Sequence, residues 1–143
     1  MKYRFLVLFV LLLSGCGGGD GDTVHELKND NGSSILVGSW EYIYTSSSCT
    51  ETYTFTSGNT FSIESLDEAA GGTYTDIEVG GSSARHILEL TYTSDNGLSD
   101  CNGVSDDDTG LVETKYFEID SDILNFFSSQ TSTIVLQAYT KSP

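Results

Sequence analysis

Basic residues, proline and cysteine are all scarce in this chain. Its 143 residues include six Lys and Arg against 21 Asp and Glu, three cysteines and a single proline, Pro143. A surface this acidic repels phosphate backbones, which excludes nucleic acid as a partner, and it disfavours docking on anionic lipid headgroups. No cofactor is indicated. No group of residues at motif spacing supports a nucleophilic triad, so we expect a protein that is not an enzyme.

The N-terminus has the pattern of a cleavable signal. Lys2 and Arg4 precede an uninterrupted apolar run over residues 5–13. This run has the length of a signal-peptide core, far short of the about 20 residues that span a bilayer as a helix. Residues 13–16, Leu-Ser-Gly-Cys, resemble the bacterial lipobox. The resemblance implies that residues 1–15 are removed and that Cys16 carries the lipid; an ordinary secretory signal with an incidental cysteine is the alternative.

The residue after Cys16 indicates whether the inner or the outer membrane would hold the protein. In Gram-negative lipoproteins an aspartate at this place commonly causes retention in the inner membrane, and here the residue is Gly17. The resemblance therefore implies a lipid anchor in the outer membrane, with the periplasmic face as the expected side and surface display as the alternative. Loss of Lys2 and Arg4 with the leader would leave four basic against 21 acidic residues. Membrane attachment would then depend on the acyl chains.

Composition divides the remaining chain near residue 35. Residues 16–34 are rich in Gly, Asp, Asn and Ser and predict a flexible tether, in which His25 would be solvated. Residues 35–143 contain short aromatic and β-branched runs separated by turn residues, and no window has sustained helical periodicity. This pattern predicts one all-β domain. Eight strands are predicted, at 37–44, 50–56, 60–65, 72–79, 85–93, 111–118, 123–127 and 133–140.

The spacing of these strands predicts how they connect. Short links between consecutive strands favour an antiparallel up-and-down meander that closes into a barrel, with a β-sandwich as the alternative. Successive links in a meander alternate between its two ends. Tight turns would form a closed end, where the tether also enters. The longer links would form a mouth at the other end; these are 45–49, 66–71, 94–110 and 128–132.

Two cysteines remain apart from Cys16. Cys49 and Cys101 fall in the first and fifth links, so the predicted topology places both at the mouth. Export to an oxidising compartment favours a disulfide between them. Free thiols or half of a metal site are the alternatives, although no nearby His or third Cys supports zinc.

The first predicted strand carries a family resemblance. Gly38-Ser39-Trp40 resembles the Gly-x-Trp signature of lipocalins, and residues 49–55, 58–61 and 72–74 resemble the aromatic strands of small bacterial lipocalin-like lipoprotein domains. The resemblance covers about residues 35–140. It implies a binding barrel of eight strands, with Trp40 packed across the closed base, and it names no ligand.

Alternating aromatic residues are the candidate ligand-binding side chains. An eight-stranded barrel either holds one small ligand or is filled by its own side chains. A pocket for a small hydrophobic ligand is the leading hypothesis. The alternative is a non-catalytic envelope structural or protein-interaction module with a filled core, whose protein partners the sequence does not identify. The eight candidates are Trp40, Tyr42, Tyr44, Tyr53, Phe55, Phe61, Tyr74 and Tyr92.

A histidine in a predicted strand and an acidic link are the remaining candidates for a catalytic or metal-binding role. His86 is in phase with Leu88 and Leu90, which favours a core or rim histidine over a catalytic base. The fifth link concentrates carboxylates that could bind calcium, but their spacing does not fit an EF-hand loop. We therefore expect a solvated acidic loop held by the disulfide, and no metal. The candidate calcium ligands are Asp95, Asp100, Asp106 and Asp108.

Overall fold

A computed structural model describes residues 25–26, 34–78 and 85–143, and the regular structure of these residues is β-strand. In chain order the strands are β1 (His25–Glu26), β2 (Gly38–Tyr44), β3 (Cys49–Phe55), β4 (Thr60–Ser65), β5 (Glu68–Glu78), β6 (His86–Asp95), β7 (Val112–Asp120), β8 (Ile123–Phe127) and β9 (Val135–Lys141). From β2 onward the strands follow one another with short links, except between β6 and β7.

The strands close into a barrel. From β2 to β9 each strand pairs antiparallel with the next one in sequence, including β5 with β6, and β9 pairs antiparallel with β2. This confirms the predicted eight-stranded meander and excludes the β-sandwich. Burial alternates along the strands as a closed barrel requires. In β4, for example, Phe61, Ile63 and Ser65 are buried and the residues between them are exposed.

One predicted link is wrong. The sequence predicts a loop over residues 66–71, but β5 already begins at Glu68, so a tight turn joins it to β4. Residues 69–72, Ala-Ala-Gly-Gly, have the composition of a turn. In the barrel they allow neighbouring strands to approach closely, because a Cβ on Gly72 would lie 1.9 Å from the carbonyl oxygen of Thr91. The pairing register shifts just before this glycine, as in a β-bulge.

The closed end lies where the chain enters the barrel. Leu36 is fully buried, and its carbonyl accepts a hydrogen bond of 2.7 Å from the indole N–H of Trp40, which is itself buried. Ser34 donates a 2.5 Å hydrogen bond to Asp76 near the end of β5. The ordered domain therefore includes Ser34, which the sequence assigned to the tether.

Strand β1 also lies within the predicted tether. It pairs with the last residues of β5, His25 opposite Glu78 and Glu26 opposite Ile77. The sequence does not predict this pairing, because two residues are too few to show a strand period. The leader, Cys16 and Gly17 lie outside the described residues.

The strands are strongly staggered around the barrel. His86 at the start of β6 pairs with Phe117, which pairs with Phe126 near the end of β8. The link after β8 therefore reaches the start of β6, where Arg85 Nη1 donates a 3.3 Å hydrogen bond to the carbonyl of Gln130. The sequence predicts the order of the links but not this stagger.

Candidate functional site

Six of the eight candidate ligand-binding residues form the core of the barrel. Their side chains are at most 5% exposed, and they belong to one hydrophobic cluster. They are Trp40, Tyr53, Phe55, Phe61, Tyr74 and Tyr92. The remaining two, Tyr42 and Tyr44, are half-buried on β2.

These core rings pack against one another across the barrel. The centroid of Tyr53 lies 5.3 Å from that of Tyr139 and 6.1 Å from that of Phe126. Phe55 contacts Tyr74 edge-on at 5.1 Å. Such distances are those of favourable aromatic pairs in protein interiors. The rings proposed from the sequence as a pocket lining therefore occupy the interior themselves. Phe126 and Tyr139, which complete this packing, were not among the sequence candidates.

A buried carboxylate at the mouth end of the barrel accepts hydrogen bonds from side chains of other strands. Glu51 on β3 accepts a hydrogen bond from the hydroxyl of Tyr139 and another, at 3.1 Å, from that of Ser65. Burial, together with the neighbouring charge of Glu51, raises the pKa of Tyr139. A buried carboxylate is tolerable only where donors of this kind replace its water. The Ser65 hydroxyl also accepts a 3.0 Å hydrogen bond from the backbone N–H of Cys101.

A second set of polar contacts links β6 and β7 and runs from the buried Tyr92 to the half-buried Glu113 and Lys115. Tyr92 donates a 3.1 Å hydrogen bond to Glu113, whose carboxylate forms a 2.7 Å ion pair with Lys115. The Lys115 ammonium lies 5.4 Å from the ring centroid of Phe126. Burial and the adjacent Glu113 raise the pKa of Tyr92. The buried hydroxyls of Tyr92 and Tyr139 thus both have carboxylate partners, as polar groups in a packed core do.

Strands β2 and β9 meet only at one end. Their pairing consists of Trp40 opposite Lys141 and Glu41 opposite Thr140, while the rest of β2 pairs with β3 alone. We call this partly unpaired junction the seam. A surface groove of about 570 Å³ lies along it. Its lining comes from both strands and the residues after β9: Glu41, Tyr42, Ile43, Ala138, Thr140, Lys141, Ser142 and Pro143.

Exposed apolar side chains flank the seam. We call them the seam strip: Ile43 on β2, Ile134 just before β9, and Val135 and Leu136, the first two residues of β9. They are between 44% and 69% exposed. Residues 134–140 carry no charge in a chain whose net charge is −15, and this uncharged run was the sequence signal for the strip. The strip was not predicted, because the prediction of a closed barrel does not indicate where pairing between its first and last strands stops.

The disulfide predicted between Cys49 and Cys101 is present, with Cα atoms 5.6 Å apart. It joins the start of β3 to residues 96–111, the link between β6 and β7, which we call the mouth loop. Asn102 of this loop donates a 3.2 Å hydrogen bond to the hydroxyl of Tyr44. Gln137 of β9 donates to the same hydroxyl at 3.1 Å. Tyr44 therefore links the mouth loop to the seam.

Two of the four candidate calcium ligands, Asp95 and Asp100, accept hydrogen bonds from the loop's own backbone. Asp100 Oδ1 accepts from the N–H groups of Asn102 and Val104 at 2.9 and 2.8 Å. Asp95 accepts from Gly97 and Asp108 at 2.8 and 3.1 Å. Asp106 is exposed. Among residues 25–26, 34–78 and 85–143, no three or more His, Cys, Asp or Glu are grouped to hold a metal ion.

His86 and Arg85 begin β6 beside aromatic rings. The imidazole of His86 lies 5.3 Å from the ring of Phe117, in the half-buried position expected of a rim histidine. The Arg85 guanidinium lies 3.4 Å from the ring centroid of Phe127. This is stacking of a cation on an aromatic face, which stabilises the surface where β8 ends.

Comparison of the chain with models of known protein families, with curated proteins and with solved structures gave no significant match. None of the described residues belongs to a helix long and apolar enough to cross a membrane.

Proposed function

We propose that this protein is an outer-membrane lipoprotein whose lipocalin-like barrel is a non-catalytic interaction module of the cell envelope. The observation that carries the proposal is the packing of the six candidate pocket residues against one another in the core. An interior occupied in this way leaves the outer surface as the place for recognition.

The seam is the surface best suited to a partner protein. The seam strip is exposed and apolar, and beside it the facing edges of β2 and β9 pair with each other at only two positions. Edges of this kind accept an added strand from a partner. Because the chain has 21 acidic and only six basic residues, the partner segment would be extended, apolar in alternate positions and flanked by Lys or Arg.

Site-specific photo-crosslinking in cells tests this proposal. A benzoyl-phenylalanine placed at Ile43 or at Leu136 should crosslink to the same partner protein. Val112 is about equally exposed but lies on β7, two strands from β9 and three from β2 around the barrel, and is the matched control position. Equal crosslinking from Val112, or none from the seam, contradicts the proposal.

The lipid anchor is supported by the signal-like residues 1–13, the lipobox-like residues 13–16 and the lack of an acidic residue at position 17. Cys16→Ser should abolish lipid labelling and release the protein from membranes. Gly17→Asp should keep the lipid but shift the protein to the inner membrane. Lipid labelling of the Cys16→Ser variant would contradict the anchor.

Binding of a small hydrophobic ligand is the second candidate function, and the seam groove is the observation that favours it. Its volume of about 570 Å³ lies within the range of small-molecule sites. The ligand would then bind on the barrel wall beside Tyr42 and Ile43. Anilinonaphthalene sulfonate should bind the protein and lose affinity in Ile43→Lys; equal binding by both proteins would exclude the groove as its site.

A further inference from the structure

Three large apolar side chains are exposed where the mouth loop meets the turn between β4 and β5. Leu66 in that turn is 63% exposed, and Leu98 and Val104 of the mouth loop are 52% and 49% exposed. We call these three residues the mouth patch. Single exposed apolar residues are common on protein surfaces, whereas grouped ones mark places where another molecule binds.

Contacts of Ser99 hold the mouth patch together. The Ser99 carbonyl accepts a 3.1 Å hydrogen bond from the backbone N–H of Asp67, so the two leucines that directly precede Ser99 and Asp67 flank one contact. The hydroxyls of Ser99 and Ser105 are 2.7 Å apart, which brings the neighbouring Val104 to the same place. The disulfide of Cys101 also fixes the loop to β3. The patch is therefore formed before any partner binds.

Leu66 is the patch residue that the fold explains least. Its φ is +57°, in the left-handed region that leucine rarely adopts. At the other positions with positive φ that the structure describes, the residues are glycines, two serines and an asparagine. The backbone of Leu66 is therefore strained, while most of its side chain remains in water. Because asparagine or glycine would suit this turn better, a leucine here favours a role in recognition over a role in folding.

Acidic side chains surround the mouth patch. Residues 96–111 contain four aspartates and no Lys or Arg. Two exposed aspartates lie next to the patch in sequence: Asp67 directly follows Leu66, and Asp106 is two residues after Val104. The three Lys and Arg side chains within residues 34–78 and 85–143 have their contacts elsewhere, on Phe127, Glu113 and Trp40. In the part of the chain that the structure describes, the patch is thus an apolar surface with a negative border.

We propose that the mouth patch is a docking site for a cationic amphipathic peptide segment. Apolar side chains of the segment cover Leu66, Leu98 and Val104, and its Lys or Arg side chains approach Asp67 and Asp106. Charge argues against a second copy of this chain, whose net charge is −15, and against an anionic lipid surface. The site shares no residue with the seam and acts whether or not the seam binds a partner.

A short fluorescein-labelled peptide of Leu and Lys, ordered so that one face of a helix is apolar, tests the site. The purified protein is held in phosphatidylcholine nanodiscs through its proposed lipid, and empty nanodiscs give the background of the anisotropy titration. The peptide should bind the protein above this background, and its affinity should fall as salt is added, because exposed charge pairs are screened. The same peptide with Glu in place of Lys should not bind.

Leu66→Asn separates recognition from folding. The affinity for the Leu and Lys peptide should fall at least about fivefold, since the contact loses a leucine side chain. The urea midpoint should stay unchanged or rise, because asparagine tolerates a positive φ. Ile123→Asn is the matched control: Ile123 is an exposed apolar residue beside Asp122, but it begins β8. Its variant should keep the wild-type affinity.

Val104→Ser, in the mouth loop, is a second variant that should weaken binding, and Asp106→Asn should lower both the affinity and its dependence on salt. Binding no stronger than to empty nanodiscs would overturn the proposal. Equal affinities of wild type, Leu66→Asn and Val104→Ser would do so too, as would equal binding of the Glu peptide. A loss of affinity in Ile43→Asn but not in Leu66→Asn would place the peptide on the seam and likewise refute the mouth patch as its site.

Discussion

Replacing both Cys49 and Cys101 by serine should cost this domain a large part of its stability. The two cysteines are 52 residues apart in sequence, and in the chain-entropy model closure of a loop this long stabilises the folded state by about 4 kcal/mol. Small domains have a total stability of only about 5–15 kcal/mol. The double variant should therefore be folded but marginal, with a melting temperature lower by roughly 15 °C or more.

Urea unfolding followed by the fluorescence of Trp40, the single and buried tryptophan, provides the measurement. The transition of the variant should move to lower urea. Its slope should stay equal or increase, because an uncrosslinked denatured chain exposes more surface. Wild-type protein alkylated without reductant is the control and should unfold like untreated protein. A stability loss below about 1 kcal/mol would refute the reasoning, because the loop-closure entropy alone exceeds it.

Three further predictions concern the core. Gly72→Ala should lower the free energy of unfolding in urea by about 3 kcal/mol, because its Cβ would collide with the backbone of β6. Gly58→Ala is the control: its Cβ would make ordinary contacts, so the change should be less than about 0.5 kcal/mol, and equal effects of the two variants would contradict the close approach of β5 and β6. Tyr139→Phe should cost about 1–3 kcal/mol because buried Glu51 loses a donor, and Tyr116→Phe, half-buried on β7, should cost much less. In alkaline titration, Tyr92 and Tyr139 should remain protonated while the protein is folded, and stability should fall as the pH rises past the ordinary tyrosine pKa of about 10. Ionisation of every tyrosine together near that pH in the folded protein would be inconsistent with their burial.

The sequence predicted the parts of the fold that depend on the local pattern of apolar residues and on the order of the links in a meander. Alternation in β3 and β4 marked their inward faces, and the alternation of links between the two ends placed Cys49 and Cys101 together. The same reasoning failed at residues 69–72, because small side chains signal both turns and close strand packing. Only the partner backbone at Thr91 distinguishes the two.

The candidate site was harder to predict than the fold. Inward-facing aromatic residues are identical in sequence whether they line a pocket or fill a core. The ring contacts of Tyr53 with Phe126 and Tyr139 favour the core. The seam depends on where pairing between β2 and β9 stops, at Glu41 and Thr140. That position is set by barrel stagger, which involves all strands and leaves no local mark.

Native mass spectrometry distinguishes a barrel filled by its own side chains from one that holds a ligand. The protein, purified gently from membranes, should show the mass of the polypeptide with one disulfide and the proposed N-terminal lipid, and nothing more. A stoichiometric adduct of lipid size that leaves on denaturation and persists in Ile43→Lys would place a ligand inside the barrel and contradict the account.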